Sequence, residues 1–544
     1  MHADLSRITF RPQAHYSAVL AQQGRVQLDA DANEQTAIQL YQARMTATDL
    51  IGQHGGPAGD AGFKIDMTGG SRELDDLSIS PGRYYVDGIL VEAYRPQPGE
   101  PVPDPAAAGA KDDADDDAKD GEGAAAEPPA TWTYWDQPDA YRDAERPGDR
   151  LPTQFPYLAY LKVWERSVTA AEDPALREVA LGAALPDTAA RLKVVWQVLP
   201  LPGGELDVDG DETKKGPVRE AFRKWVAEQR KATARLAVRS ERPDHADDDP
   251  CLVKPDARYR GPENQLYRVE IHDGGAAKDA TFKWSRENGS VTFPVDGLDG
   301  TWVELASLGG DDKLDLDVGD RVEFVDSAVA SRLEAHPLLR VEELDLPGRR
   351  VRLSDEPAQG VGRRPELHPY LRRWDHREGG RAQERQTKKG ASGQLRNGAV
   401  RIEEGAWLPL EDGVEVYFAA GGTYRSGDFW LVPARTATGN VEWPTDAARR
   451  PLLQGPLGPQ VHYAPLGWVM GEKTVSDLRL AFKPLAGEIA AASDEELAAE
   501  EEARAADAAA DAESEPADVA SAGPAHGAAL RSQTTAEAES LTEE

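Results

Sequence analysis

Apolar residues recur at every second position in short runs along much of this chain, and Gly, Pro, Asn and Asp break the runs apart. That is the pattern of half-buried strands joined by turns. Near the start, Arg7 to Phe10, Tyr16 to Leu20 and Arg25 to Leu28 each read as a short strand, the last two separated by the turn-like Gln22-Gln23-Gly24. The period then changes. Asp31 with Glu34 three residues on is a capping-box pattern, and Ile38, Tyr41, Met45, Ala47, Leu50 and Ile51 recur at helical spacing until Gly52 and Gly55-Gly56 stop them. This predicts an amphipathic helix whose apolar stripe, with Ile38, Tyr41 and Met45 at its centre, needs a surface to dock on.

From Leu77 the two-residue period returns in LSISPGRYYVDGILVEAY, and Asp87-Gly88 between Tyr84-Tyr85-Val86 and Ile89-Leu90-Val91 predicts a hairpin. Strands are expected at Tyr157 to Arg166 and at 192–200, with a helical turn or loop at Pro174 to Leu181 between them. Pro217 in a first turn, followed by Val218, Ala221, Phe222, Trp225 and Val226 on one face, predicts a helix over 217–231. Tyr267 to Pro294 is β-rich, with Asn288-Gly289 as a hairpin turn. LDLDVGDRVEFVD reads as strand, tight turn at Gly319-Asp320, strand; with LRVEELD and GRRVRLSD it predicts a small twisted sheet or barrel. Further strands are expected at Gly413 to Phe418 and Gly427 to Val432. The fold class is therefore mainly β with a few helices (α+β), in β-sandwich or small β-barrel modules. No repeat of roughly 20 to 50 residues points to a solenoid or propeller.

Composition divides the chain. The net charge of −34 is concentrated: residues 100–130 hold 10 acids against two lysines, and residues 486–544 hold 16 acids against two arginines. Both segments lack sustained periodicity and read as disordered, a linker at 97–131 and a tail at 486–544. Between them lie a strand, helix and hairpin docking region at 1–96, a β-rich middle region at 132–300 with a helical insertion near 217–231, and a β-rich C-terminal domain at 301–485. The rest of the chain is mildly acidic, so nucleic acid is not an expected partner; the basic run from Arg377 to Lys389 is interspersed with Glu and Gly and reads as a solvated loop. The single cysteine, Cys251, excludes an internal disulfide and a cysteine-based zinc cluster. The opening MHADLSRITF lacks a basic-then-apolar signal, and no run of roughly 18 apolar residues offers a membrane span. A cytoplasmic protein, or one carried by a particle, is expected.

Candidate chemistry is sparse. His272 follows Glu270 by two residues, on one strand face. His368 and His376, with Asp375 and Glu378 near them, contain ligand-type side chains but match no metal-site spacing. Glu165 and Glu287 are weak candidates for the carboxylate pair of a glycoside hydrolase, although strand acids beside arginines more often form ion pairs. The Asp cluster at 112–117 lacks the Gly and distal Glu of an EF-hand loop. No GxSxG elbow, phosphate-binding loop, HExxH helix or GxGxxG fingerprint occurs, and no cofactor or metal is expected. Trp132, Tyr134, Trp135, Trp407, Trp430 and Trp443 are of the type that stacks on sugars, but Trp in strands is more often core.

The run His15 to Glu34, HYSAVLAQQGRVQLDADANE, resembles the opening of the family DUF6519, a domain of unknown function, whose pattern is close to YSxVLxQQGRVQLDADxNEQ. YLAYLKVWERSVTAAEDPALREVALG at 157–182, YRGPENQLYRVEIHDGG at 259–275, ATFKWSRENGSV at 280–291 and GGTYRSGDFWLVPARTATGNVEWP at 421–444 are similar to the same family, in family order. The resemblance implies a product of phage-tail-like or contractile injection system gene clusters. It implies a structural or accessory protein that docks on baseplate, tube or sheath components, at the baseplate periphery and with a homo-oligomer as an option. The alternative it leaves is a cargo or effector with toxin or hydrolase activity. Some such relatives continue into a right-handed β-helix; this chain departs there, with no β-helix rungs before its Ala-rich acidic end.

Overall fold

The structure is a computed structural model that describes residues 2–68, 75–96, 131–182, 185–240, 259–309, 313–377 and 395–484. The acidic linker, the tail from 486, the Asp cluster at 112–117, Cys251, Glu378 and the basic run beyond Arg377 lie outside the described residues. Met1–Lys483 cluster as one compact unit and Pro484–Glu544 as another. The first unit is mainly β, with α-helices at Asp29–Ile51 (α1), Lys215–Gln229 (α2) and Ser327–Arg332 (α3) among the described residues.

The expected barrel is present and closed. Its strands run Thr292–Asp299, Trp302–Leu305, Arg350–Leu353, Leu339–Asp345, Arg321–Val325 and Tyr370–Trp374, and the last pairs with the first. Each strand sends alternate residues inward, so Phe293, Val303, Val322, Phe324, Val341, Val351 and Leu371 fill the interior as one core. The first hairpin turns through Gly300 at φ +58°, which places the expected border at 300/301 inside a paired hairpin rather than between domains. The run LDLD before Gly319 forms no strand. Only Arg321–Val325 after it pairs, because Asp315 and Asp320 turn their carboxylates back onto the backbone N–H groups of Leu316 and Asp317 and so hold a turn.

Beside the barrel stands a sandwich. A six-stranded sheet has Gln265–Ile271 at its centre, flanked by Thr281–Ser285 and Phe429–Arg435. It shares a core with the three-stranded sheet Trp407–Pro409, Val414–Phe418 and Leu236–Ser240, where Tyr267, Val269, Phe282 and Trp430 meet Leu236, Val416 and Phe418. The Asn288-Gly289 turn exists, with φ of +53° and +66°, but it joins no hairpin. The strand before it pairs within the sandwich and the strand after it pairs within the barrel, so the turn is the crossing point between the two.

The third module is built on the long hairpin Tyr157–Val168 and Arg191–Pro202, extended by His462–Gly471 and Thr474–Asp477. YLAYLKVW is almost continuously apolar because both of its faces are covered. Ala159, Leu161 and Val163 pack against Phe63, Ile79, Tyr84 and Val91 from the N-terminal sheets, where Asp87-Gly88 turns the expected hairpin. Leu158 and Tyr160 meet Val218, Ala221 and Phe222 of α2 on the other side. The Tyr160 ring lies 5.8 Å from Phe222 and 5.3 Å from Trp225. α2 thus closes a sheet face.

Candidate functional site

Two charged runs that read as ordinary strand sequence, RVEI and FKWS, meet VEF and LRRW where the sandwich touches the barrel. Glu270 is buried there and accepts from Arg268 Nε at 2.5 Å, with Lys283 Nζ 3.3 Å away. Lys283 also reaches Glu323 at 2.9 Å and lies 4.3 Å over the ring of Trp374, whose indole N–H donates to Glu323 at 3.1 Å. Arg372 stands 3.7 Å from Glu323. Burial alone would raise both carboxyls, but Arg268, Lys283 and His2 hold Glu270 well below its ordinary range, and Lys283 and Arg372 hold Glu323 below it. The network spans strands that only the tertiary fold brings together.

Into this network the chain inserts its own N-terminal segment. The imidazole Nε2 of His2 is 2.9 Å from Glu270 Oε2, and the ring meets Trp374 edge-on at 6.1 Å. The His2 N–H donates to Ser167 Oγ at 2.8 Å, and Asn288 Nδ2 donates to the Ala3 carbonyl at 2.9 Å. From this root the chain emerges as an arm. Ser6 donates through its N–H and its hydroxyl to Asp29, Thr9 donates to Glu34 at 2.5 Å, and the Val19 N–H donates to Gln35 at 2.7 Å. Phe10 stacks obliquely on Tyr41 at 5.7 Å.

The three strands expected at 7–10, 16–20 and 25–28 do not form. Among the described residues the first strand is His54–Pro57. The arm turns through a 3-10 helix at Pro12–Ala14 and again near Gly24, its backbone finds no ladder partner, and strand propensity without a partner makes no sheet. It leaves large apolar side chains in solvent: Tyr16 is 66% exposed, Leu20 83% and Val26 84%, with Leu28 beside them.

α1 continues this surface. Asp31 accepts from the Leu28 N–H at 3.1 Å and so fills the reciprocal position of the capping box; Glu34, expected in that role, instead holds Thr9. The expected stripe divides. Ile38, 1% exposed, is buried, as is Ala30, whereas Tyr41 and Met45 are each 43% exposed and Leu50 more so. The helix is fixed chiefly by polar contacts and a close backbone approach: Arg44 pairs with Glu165 at 2.5 Å, and a Cβ on Gly88 would stand 2.3 Å from the Arg44 carbonyl oxygen.

The other sequence-nominated residues each have partners of their own. Glu165 belongs to the Arg44 pair. Glu287 sits at the crossing turn, 3.3 Å from Lys313, and no described hydrogen bond or ion pair joins it to Glu165. Burial, then Asp375 and Asp4, push its carboxyl up to about 7. Beside it lies a polar cavity of about 40 Å³ whose walls include Arg286, Lys313, Asp315, Arg373 and Asp375. His272 is buried just past the end of its strand, and burial with Lys283 nearby lowers it to about 4. His368 and His376 flank opposite ends of the strand Tyr370–Trp374, and the buried His376 ring bonds the Gly398 carbonyl at 2.8 Å. Among the described residues no group of His, Cys, Asp or Glu is placed to hold a metal ion, and no helix is long and apolar enough to cross a membrane. Arg377 is paired with Asp317 and Asp320. Of the aromatic residues, Tyr134 and Trp430 are core, while Arg95 covers the Trp132 ring at 4.6 Å and Arg239 the Trp407 ring at 4.1 Å.

Sequence reading missed His2, Arg268, Lys283, Glu323 and Arg372. For Arg268, Lys283 and Glu323 the available signal was charge at strand positions whose neighbours on both sides are apolar, where a solvated side chain has no room; Arg372, beside Arg373, and His2, outside any strand, carried no such signal.

These features define a mainly β protein in which a closed barrel, a sandwich and a long-hairpin sheet share one compact unit, with an apolar arm and helix on its surface. The sequence matches the profile of a family of unknown function, DUF6519, over residues 1–133 and 209–540, and the chain belongs to that family. The match includes the arm, α1 and α2 and leaves out 134–208, the stretch of the long hairpin. No curated protein and no solved structure gives a significant match.

Proposed function

We propose that this protein is a structural or accessory component of a phage-tail-like contractile injection particle, docking at the baseplate periphery through its N-terminal arm and α1. The observation that carries the docking is the arm itself: a segment outside any sheet that exposes Tyr16, Leu20, Val26 and Leu28, followed by a helix that exposes Tyr41, Met45 and Leu50. Seven exposed apolar groups on one arm and the helix that follows it, on a protein with a filled core, are the mark of a surface made to be covered. The arm is also basic, with Arg7, Arg11 and Arg25 and no acid between Asp4 and Asp29, on a chain of net charge −34. The particle context comes from the resemblance of the His15–Glu34 run.

Purified particles provide the test. Stoichiometric, symmetric density for this chain at the baseplate, lost in a Leu20→Asp/Val26→Asp variant that folds normally, is the expected result. Density inside the tube, or release after contraction, would replace this role with that of a cargo or effector. The observation favouring that second reading is Glu287, a carboxyl poised near neutrality beside a polar cavity. Toxicity in a target cell that Glu287→Gln abolishes would support it.

A further inference from the structure

The arm's root is a titratable side chain in a fitted socket. The His2 ring lies between Glu270 and Trp374, and the space for it depends on Gly289: a Cβ there, at φ +66°, would stand 2.8 Å from His2 Cδ2. The His2 backbone N–H donates to Ser167, and the carbonyl of the next residue, Ala3, accepts from Asn288. The charged groups around the ring come from four strands: Arg268 and Glu270 from Gln265–Ile271, Lys283 from Thr281–Ser285, Glu323 from Arg321–Val325, and Arg372 from Tyr370–Trp374. Ser167 and Asn288, from the long hairpin and the crossing turn, are neutral. Three cations therefore face two anions. A neutral imidazole fits that balance, whereas an imidazolium adds a fourth buried cation.

We propose that His2 and this socket form a pH-operated latch: the neutral ring holds the arm against the body, and protonation of His2 releases it. Nothing after Ala3 holds as firmly. The next contacts, from Ser6 to Asp29, from Arg435 to the Ser6 carbonyl at 2.9 Å, from Arg7 to Glu442 at 3.4 Å, from Thr9 to Glu34 and from Val19 to Gln35, are at least partly in solvent, where each such bond adds little. Burial, then Arg268 and Arg372, depress the seated ring well below 6.5, outweighing Glu270. The sign follows from that direction. A His whose basicity is lower when seated than when free favours the seated state fully above the free value, and loses it as pH falls through and below that value. Each pH unit in that window weakens the seat roughly tenfold until the seated ring itself titrates. Asp29 does not compete: burial raises its carboxyl, but the bonds from Ser6 together with the Ala30 and Asp29 N–H groups outweigh it and keep the carboxyl below the ordinary range.

The consequence for docking rests on the proposed role of the arm: acidification would free the arm to reorient and so alter the surface it shares with α1. The latch is tested on the isolated full chain, without any partner, so its outcome and that of the particle experiment are independent. With Cys251→Ser and a pH-insensitive dye on Ala14→Cys, dye anisotropy should fall reversibly between about pH 7 and pH 5. His2→Gln, which does not titrate, should remove the fall. Gly289→Ala, which crowds the ring, should give low anisotropy already at neutral pH. Far-UV circular dichroism unchanged across the range separates arm release from unfolding. A flat anisotropy curve for the parent, or an equal fall in His2→Gln, overturns the latch.

Discussion

Replacing Glu270 with Gln should cost more than any single surface change in this protein. The carboxylate is buried and is the shared acceptor of Arg268, Lys283 and His2. Gln keeps the volume and one acceptor oxygen but removes the charge. Arg268 and Lys283, both buried, are then left with Glu323 as the one remaining carboxylate of the network. Breaking a buried pair in this way costs about 3–5 kcal/mol, most of it the penalty of a stranded charge rather than the worth of the pair. Urea unfolding followed by tryptophan fluorescence measures it as a lowered midpoint at unchanged slope. Glu270 is held below its unfolded value, so its contribution is complete above about pH 4.3 and lost as pH falls below that. The gap between parent and Glu270→Gln should therefore narrow in acid. Adding Lys283→Met should recover part of the loss, since it removes one stranded cation. A cost below about 1 kcal/mol at neutral pH, with no recovery in the double variant, would refute the claim that this network is a desolvated, charge-balanced unit.

Three further outcomes follow from local geometry. Phe222→Ala removes the ring that α2 places against Tyr160 and should cost about 3–5 kcal/mol, read by urea unfolding. Asp326→Ala removes the carboxylate that accepts from the Ala328 and Val329 N–H groups at 3.0 and 2.9 Å; a loss of about 0.5–2 kcal/mol is expected from the same measurement. Gly88→Ala drives a Cβ into the Arg44 carbonyl, so faster hydrogen exchange across Asp29–Ile51 should accompany a loss of about 1–3 kcal/mol.

Much of the barrel was legible in the sequence because its strands alternate, its hairpins are short and each residue's face depends on its own two-residue period. The same rule served the Asp87-Gly88 hairpin, and the helical period served α2. It failed where a segment's state depends on what lies opposite. The arm at 7–28 has strand-like sequence and no ladder partner, so it forms no sheet. Asn288-Gly289 has turn chemistry that is correct locally, yet the strands it joins enter different sheets. Glu34 has the spacing of a capping residue, but Thr9 takes its carboxylate and Asp31 acts in its place.

The candidate site was less legible than the fold. Ile38, Tyr41 and Met45 share helical spacing, and only the tertiary structure decides that Ile38 is covered while the other two are exposed. Charge at positions 268, 270, 283, 323 and 372 was plain in the sequence; its meaning was not, because these residues lie on four strands and become neighbours only when barrel and sandwich meet. The sequence by itself determined the family, the mainly β character, the capped helix and the turns, all of which rest on interactions a few residues long. The tertiary structure alone decided which apolar groups stay in solvent, which charges are buried together, and that His2 reaches Glu270 across most of the first half of the chain. Those depend on which surfaces lie opposite one another, and no local period encodes that.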